Sequence, residues 1–306
     1  MRLLYWRKDL KIGYIHLVSC FLCVVIITSS FSLASSQTGL RISSESPQML
    51  EWELEEGEAI FWYLSYAGWM IKTKNHLLVI DYMEPNLPPE EQKLSNGFIA
   101  PETLAGYDVS LFATHNHGDH WDPESLEWIK VIPKIRIVLN WPAATGSNIL
   151  VLNDTLSHLT LSDLEIYSYT LRSSFNIPHS TILIKVDGVS FYTNDDFGAR
   201  GNIVPDYVKQ CIDYISSTGD LDILLLNMSG NIDDEGEHFM GLVDAYTVMK
   251  LNPKVVFPQH RIYSISQRNK VLREAEGYNL RAQFIFTDKA GQAFHLKKGV
   301  VKMMSP

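Results

Sequence analysis

The sequence predicts a layered α/β domain built on mixed β-sheets. Apolar strand runs come first along the chain, helical periodicities interleave with strands later, and no segment closely repeats another. From Ala59, the stretches Phe61 and Tyr63, then Met70-Ile71, then Leu77-Leu78-Val79-Ile80 ending at Asp81 form successive strands broken at Ala67-Gly68 and Lys74-Asn75. Phe61, Trp62, Tyr63, Tyr66 and Trp69 are aromatic residues at strand spacing, and we read them as core rather than as a ligand-stacking patch. Glu84 to Gly97, with Pro85, Pro88 and Pro89, is a long irregular segment able to hang over a site. Val109-Ser110-Leu111-Phe112-Ala113 is a buried strand that stops at Thr114.

Asp122-Pro123-Glu124-Ser125 then starts a helix, because Asp122 can cap it, Pro123 suits its first position and the early acids complement its dipole. Ile135 to Leu139 and Leu164 to Leu171 are strands, and Thr181 to Val186 with Val189 to Thr193 is a hairpin turned at Asp187-Gly188. Val204, Tyr207, Val208, Cys211, Ile212 and Ile215 recur at helical spacing, which puts Cys211 on an apolar face as a core residue. A buried strand (Leu221 to Leu226), a helix (Leu242, Ala245, Tyr246, Met249), a strand (Lys254 to Phe257), a helix (Ser264 to Glu276) and a strand (Gln283 to Phe286) complete the series.

The 306-residue chain carries 26 basic and 35 acidic side chains, a formal charge of −9. Arg2, Arg7, Lys8 and Lys11 precede an apolar run from Ile12 to Phe31, and Ser32 and Ala34 are small residues spaced for a cut after Ala34. Residues 1–34 are therefore expected to be a secretory signal, with an uncleaved membrane anchor as the alternative and a lipid on Cys20 as a weaker third reading. Removing them leaves a more acidic chain without a basic cluster, which argues against nucleic acid as a partner. Residues 35–56, polar and rich in Ser and Glu, are expected to be a linker, and residues 57–306 the functional domain. Of three cysteines, Cys20 and Cys23 lie in the leader, so Cys211 has no partner for a disulfide in the cut chain.

Chemistry concentrates at Thr114-His115-Asn116-His117-Gly118-Asp119-His120, directly after the buried strand. The chain has 10 histidines, and three of them within six positions beside an aspartate are hard to attribute to a polar turn. Neutral imidazoles and a carboxylate suit Zn²⁺, and also Mn²⁺ or Fe²⁺. His115 and His117 can face one way while Asp119 and His120 follow beyond Gly118, an arrangement that suits two adjacent metals better than one. Further ligands must come from elsewhere. His179, Asp195 and His260 are candidates, each standing where a strand hands over to a loop.

The segment His115-Asn116-His117-Gly118-Asp119-His120 resembles the His-x-His-x-Asp-His signature of the metallo-β-lactamase superfamily. Ile177 to Gly198 is similar to the family's histidine, hairpin and Gly-Asp-Thr stretch, Met240-Gly241 to its helix start, and Val255 to His260 to its last strand. The likeness spans about Ala59 to Arg261. It is nearest to the branch containing L-ascorbate-6-phosphate lactonase and N-acyl-phosphatidylethanolamine phospholipase D. It implies a four-layer αββα sandwich with two mixed sheets and outer helices, with two divalent ions, Zn²⁺ first and Mn²⁺ or Fe²⁺ as alternatives. His115, His117 and His179 would hold one ion and Asp119, His120 and His260 the other, with Asp195 bridging. Asn194 and Asp196 depart from the family's glycine and threonine, so the second acid can compete for metal.

The expected activity is hydrolysis by metal-activated hydroxide of a phosphodiester, a lactone or a phospholipid-type ester, with Asp119 orienting the nucleophile or shuttling its proton. His238, in the loop from Asn227 to Met240, is a candidate for the developing oxyanion or the leaving group, against the plainer reading of a solvated loop histidine. The branch resembled argues against β-lactamase activity. The alternatives are an accessory or sensor protein that keeps the ligands without turnover, and a membrane-tethered interaction module. A small-molecule or lipid-like ester is the expected partner, in an exported protein that meets a membrane only through an uncleaved leader.

Overall fold

In the computed structural model, which describes residues 49–172, 177–197, 203–228 and 240–304, alternating side chains along successive strands build two faces on each of two sheets. The first sheet starts with the antiparallel strands β1 (Ala59–Ser65), β2 (Gly68–Lys72) and β3 (Leu77–Ile80). It continues in parallel through β4 (Val109–Phe112), β5 (Ile135–Leu139) and β6 (Ile149–Val151).

The second sheet repeats this plan. Strands β7 (Leu156–Leu161), β8 (Leu164–Arg172), β9 (Pro178–Val186) and β10 (Val189–Thr193) form an antiparallel meander. Strands β11 (Ile223–Asn227), β12 (Val255–Gln259) and β13 (Gln283–Phe284) follow in parallel. The chain then returns to the first sheet, where β14 (Ala293–Lys297) pairs with β1 and β15 (Val300–Met303) forms the edge.

Between the sheets, Phe61, Trp69, Phe191, Phe257 and Phe294 are fully buried and interlock edge to face or tilted, with ring centroids 5.0–5.9 Å apart. Phe61, Trp62, Tyr63 and Trp69 are thus core, as their spacing predicted, whereas Tyr66 at the β1–β2 turn is exposed.

The outer face of the second sheet is covered by α1 (Asp206–Ser216), α2 (Leu242–Leu251) and α3 (Ile265–Gly277). Helix α1 buries Val208, Cys211, Ile212 and Ile215, the expected stripe, and Ser264 caps α3 in a reciprocal box with Gln267. On the first sheet the cover includes 3₁₀ turns, and the segment expected as a helix from Asp122 onward is one of them. Asp122 does cap the segment Pro123–Lys130 by accepting from Glu124 N at 2.9 Å, but three residues per turn is the pitch that buries Ser125 and Trp128 together. Glu84 to Gly97 contributes two more such turns, and Leu94 packs in the cluster on this face. Met49, Leu50 and Leu54 join the same cluster, so the end of the segment read as a linker packs onto the sheet. The leader lies outside the described residues, among which no helix is long and apolar enough to cross a membrane.

Strands β6, β7, β14 and β15 were not anticipated, and β9 begins three residues earlier than the hairpin reading placed it. Its turn is as expected, with Asp187 and Gly188 both at positive φ (49° and 74°).

Parallel pairing has one consequence for function. It sends the carboxyl ends of β3, β4 and β5 to one edge of their sheet, and those of β10, β11 and β12 to one edge of theirs. Antiparallel pairing with β10 brings the start of β9 to that second edge. The backbone bond from Ser180 N to Thr114 O, 3.0 Å, joins the two edges.

Candidate metal centre

Strand β4 delivers the ligand loop, and Thr114 anchors it. Its amide donates to Asp81 Oδ1 at 2.7 Å, and its hydroxyl lies within 2.9 Å of both Asp81 oxygens and of Asp195 Oδ1. Asn140, just past β5, donates to Thr114 O at 2.7 Å and to Ser180 Oγ at 2.8 Å. The ends of β3, β4, β5 and β9 are therefore tied around one threonine. Beyond it the chain turns tightly, with the amides of His120 and Trp121 both donating to His117 O.

The rear nitrogens of three histidines are held by buried carboxylates. His115 Nδ1 lies 2.8 Å from Asp195 Oδ1, His179 Nδ1 3.1 Å from Asp195 Oδ2, and His120 Nδ1 3.0 Å from Asp81 Oδ2. An ionised carboxylate can only accept, so each Nδ1 carries a proton, and in the neutral imidazole Nε2 keeps its lone pair for a cation.

The remaining donors converge in two groups. His115, His117 and His179 form one, with His115 Nε2 and His117 Nδ1 2.8 Å apart. Asp119, His120 and His260 form the other, with His260 Nε2 3.2 Å from Asp119 Oδ2 and 3.3 Å from His120 Nε2. Within each group the ligand atoms lie within 4.8 Å of one another, close enough to contract onto a cation with bonds of about 2.0–2.2 Å.

The two adjacent acids face opposite ways. Asp195 is fully buried behind the histidines. Asp196 Oδ2 lies 3.6 Å from His115 Nε2, while its Oδ1 lies 3.6 Å from His120 Nε2 and 3.7 Å from His260 Nε2. Asp196 thus faces both donor groups from the side of the histidine Nε2 atoms, whereas Asp195 lies behind the rings of His115 and His179. The backbone is the cause: β10 ends at Thr193, and Asp195 adopts φ +52°, a left-handed conformation that Asp tolerates better than most residues. Asn194 makes that turn a fixed one, because its side chain accepts from Asn227 N at 2.7 Å. Asn227 Nδ2 in turn donates to Asp196 Oδ1.

His260, just past β12, also has positive φ (76°), and its amide is held at 2.8 Å by the carbonyl of Tyr66 across the sandwich. His179 is the second residue of β9, paired with Leu171 of β8, rather than a residue before the strand. His238 lies outside the described residues.

The electrostatics are those of a cation site. Burial alone would raise the Asp195 carboxyl, but its bonds to His115 and His179 hold it far below the usual carboxylate range. The bond to His260 likewise holds Asp119 low, against the opposing effect of burial. Burial pushes His120 down, yet Asp81 foremost, with Asp195 and Asp196, outweighs it and lifts the imidazole to about 10. His179 is raised in the same manner, since Asp195 overcomes the effect of burial. His117 is lowered by burial and by the neighbouring His115 and His179. Protons on these imidazoles stand where a dication would otherwise balance the carboxylates.

Asp81, Thr114, Asn140, Ser180 and Asn227 escaped the sequence reading. A signal existed for Asp81 alone, as a charged residue directly after a continuous apolar strand.

Comparison with solved structures bears on the fold. The metallo-β-lactamase fold protein YhfI from Bacillus subtilis superposes with a TM-score of 0.52 at 12% identity, covering 78% of this chain and 99% of that one. The chain has the metallo-β-lactamase fold. Igni18, a metallo hydrolase from the archaeon Ignicoccus hospitalis, shares that fold with this chain at a TM-score of 0.54 and 16% identity, over 78% of this chain and 99% of that one. CmlA, a diiron β-hydroxylase from Streptomyces venezuelae, matches at a TM-score of 0.51 and 14% identity, over 79% of this chain and 54% of that one. No sequence-family model matches the chain, and no curated protein does.

Proposed function

We propose that the protein is a metal-dependent hydrolase acting on a phosphodiester, a lactone or a phospholipid-type ester. The observation that carries this reading is the pair of three-residue donor groups whose histidines are oriented from behind by Asp81 and Asp195. The residues fit divalent ions: His115, His117 and His179 would hold one, and Asp119, His120 and His260 the other. Such ions supply a water acidified to near neutrality and a Lewis acid for the substrate oxygen.

The chain's own contribution is to position these groups and to handle the proton. Asp119 is partly exposed, with Oδ2 turned to His260, and its low proton affinity keeps it ionised and able to orient an incoming water by accepting from it. Exposed Tyr66 at the hairpin tip, its ring centroid 6.4 Å from that of His260, supplies an apolar rim beside that residue. That rim favours a substrate with an apolar portion beside the ester.

The test is a panel of lactones, bis-aryl phosphodiesters and phospholipids assayed on metal-loaded protein. Hydrolysis of at least one, lost on chelation and in His115→Ala, is expected. Full metal loading with no hydrolysis across the panel would favour the accessory or sensor role. Failure to retain any transition metal after reloading and desalting would refute the site itself.

A further inference from the structure

We infer that Gln259 is a positioning residue. Through the hydrogen-bond chain Trp69–Gln259–Thr193 it locks His260 against the turn that carries Asp195 and Asp196, and so sets how far apart the two donor groups stand. This rests on the metal-dependent reading of the site and extends it to a residue outside both groups.

Gln259 ends β12, directly before His260, and is fully buried. A primary amide withdrawn from water costs free energy unless it is hydrogen-bonded, and a leucine of similar size would fill the core without that demand. Here both ends of the amide are matched. Oε1 accepts from Trp69 Nε1 at 2.9 Å, and Nε2 donates to Thr193 Oγ1 at 3.3 Å. An indole N–H can only donate, so the amide has one orientation, oxygen to Trp69 and nitrogen to Thr193.

The three residues come from three strands that meet at the metal edge. Trp69 is the second residue of β2, just past Tyr66, whose carbonyl holds the His260 amide at 2.8 Å. Thr193 is the last residue of β10, and its hydroxyl also accepts from the Asp195 amide at 3.4 Å. Strand β11 lies between β10 and β12, so no ladder bond joins the strand of His260 to the turn bearing the acids. The Gln259 amide makes that link directly, and ties it to the first sheet as well.

His260 needs such a hold. Its φ of +76° is one that a residue other than glycine keeps only where its surroundings fix it. It is also the one member of its donor group that the second sheet supplies, since Asp119 and His120 come from the loop after β4. A shift of His260 would open that group and leave His115, His117 and His179 as they are.

The test applies stepwise Zn²⁺ titration, the visible spectrum of Co²⁺-loaded protein and thermal unfolding of chelator-stripped protein to Gln259→Leu, Trp69→Phe and the double variant. Either single substitution should weaken one of the two equivalents about 10–100-fold and shift the Co²⁺ bands, with the other equivalent unchanged. Because both act through one chain of bonds, the double variant should lose no more affinity than the more affected single one. Ile212→Ala, a core deletion on the outer face of the second sheet, is the control: it should melt lower and keep both equivalents. Additive losses in the double variant, equal weakening of both equivalents, full affinity in Gln259→Leu, or loss of an equivalent in Ile212→Ala would each overturn the inference. Should Gln259→Leu fail to fold, Trp69→Phe decides, by whether it weakens one equivalent or none. A wild type that takes up no metal would instead sink the metal-dependent reading.

Discussion

Replacing Asp81 with asparagine changes one oxygen to nitrogen at a fully buried position that holds both the Thr114 amide and His120 Nδ1, at 2.7 and 3.0 Å. In the stripped protein His120 titrates at about 10, and Asp81 is the main group raising it against burial. A folded-state value above the ordinary 6.5 adds stability that is fully present below about pH 6.5 and is lost as the pH rises through about 10. Asp81→Asn removes the carboxylate while the imidazolium stays buried, a loss of about 3 kcal/mol near pH 6. Above about pH 10 the imidazole is neutral in both proteins, and the difference should shrink to about 1 kcal/mol, the worth of an ordinary hydrogen bond. Urea unfolding of stripped protein at the two pH values measures this. The amide of the new asparagine can also donate to Nδ1, which moves the ring proton to Nε2 and blocks the lone pair facing Asp119 and His260. Zn²⁺ affinity at that group should fall about 10–100-fold. An equal destabilisation at both pH values, or an unchanged affinity, would refute the claim that Asp81 sets the state of His120.

Three further expectations concern the core, the buried thiol and the leader. Phe257→Ala removes a ring that touches Phe61, Trp69 and Phe294, and should cost about 3–5 kcal/mol by thermal or urea unfolding. Burial pushes the Cys211 thiol up to about 11, so protein lacking residues 1–34 should show no thiol reacting with an aromatic disulfide near pH 8 until it is unfolded. Export with cleavage after Ala34 predicts a mature chain beginning at Ser35, which N-terminal sequencing from the native host checks; a chain starting at Met1 in the membrane fraction would favour the anchor.

How legible each part of the molecule was depended on how local its cause is. Helix α1 announced itself because its buried stripe recurs every three or four residues, and the β9–β10 turn because Asp187-Gly188 can take positive φ at both positions. Strands β6, β7 and β15 did not, since they are edge strands with partly or largely exposed residues, and β14 did not, since it is placed by pairing with β1 at the other end of the domain's sequence. The 3₁₀ character of Pro123–Lys130 was equally hidden, because the same cap and proline start either helix and the sheet beneath selects the pitch.

At the site, the sequence by itself determined the ligand chemistry of His115, His117, Asp119 and His120, which sit within six positions directly after a buried strand. It marked His179 and His260 only as strand-end candidates, since nothing local says that residues so far apart converge. Tertiary structure decided that convergence, by sending parallel strand ends of two sheets to edges joined around Thr114. It also decided the division between Asp195 and Asp196, two chemically identical neighbours. A left-handed φ at Asp195, fixed by Asn194 bonding across to Asn227, turns one carboxylate behind the histidines and the other in front of them. Sequence can name the donor atoms, but which way each one faces is set by backbone torsions and by contacts between residues tens of positions apart.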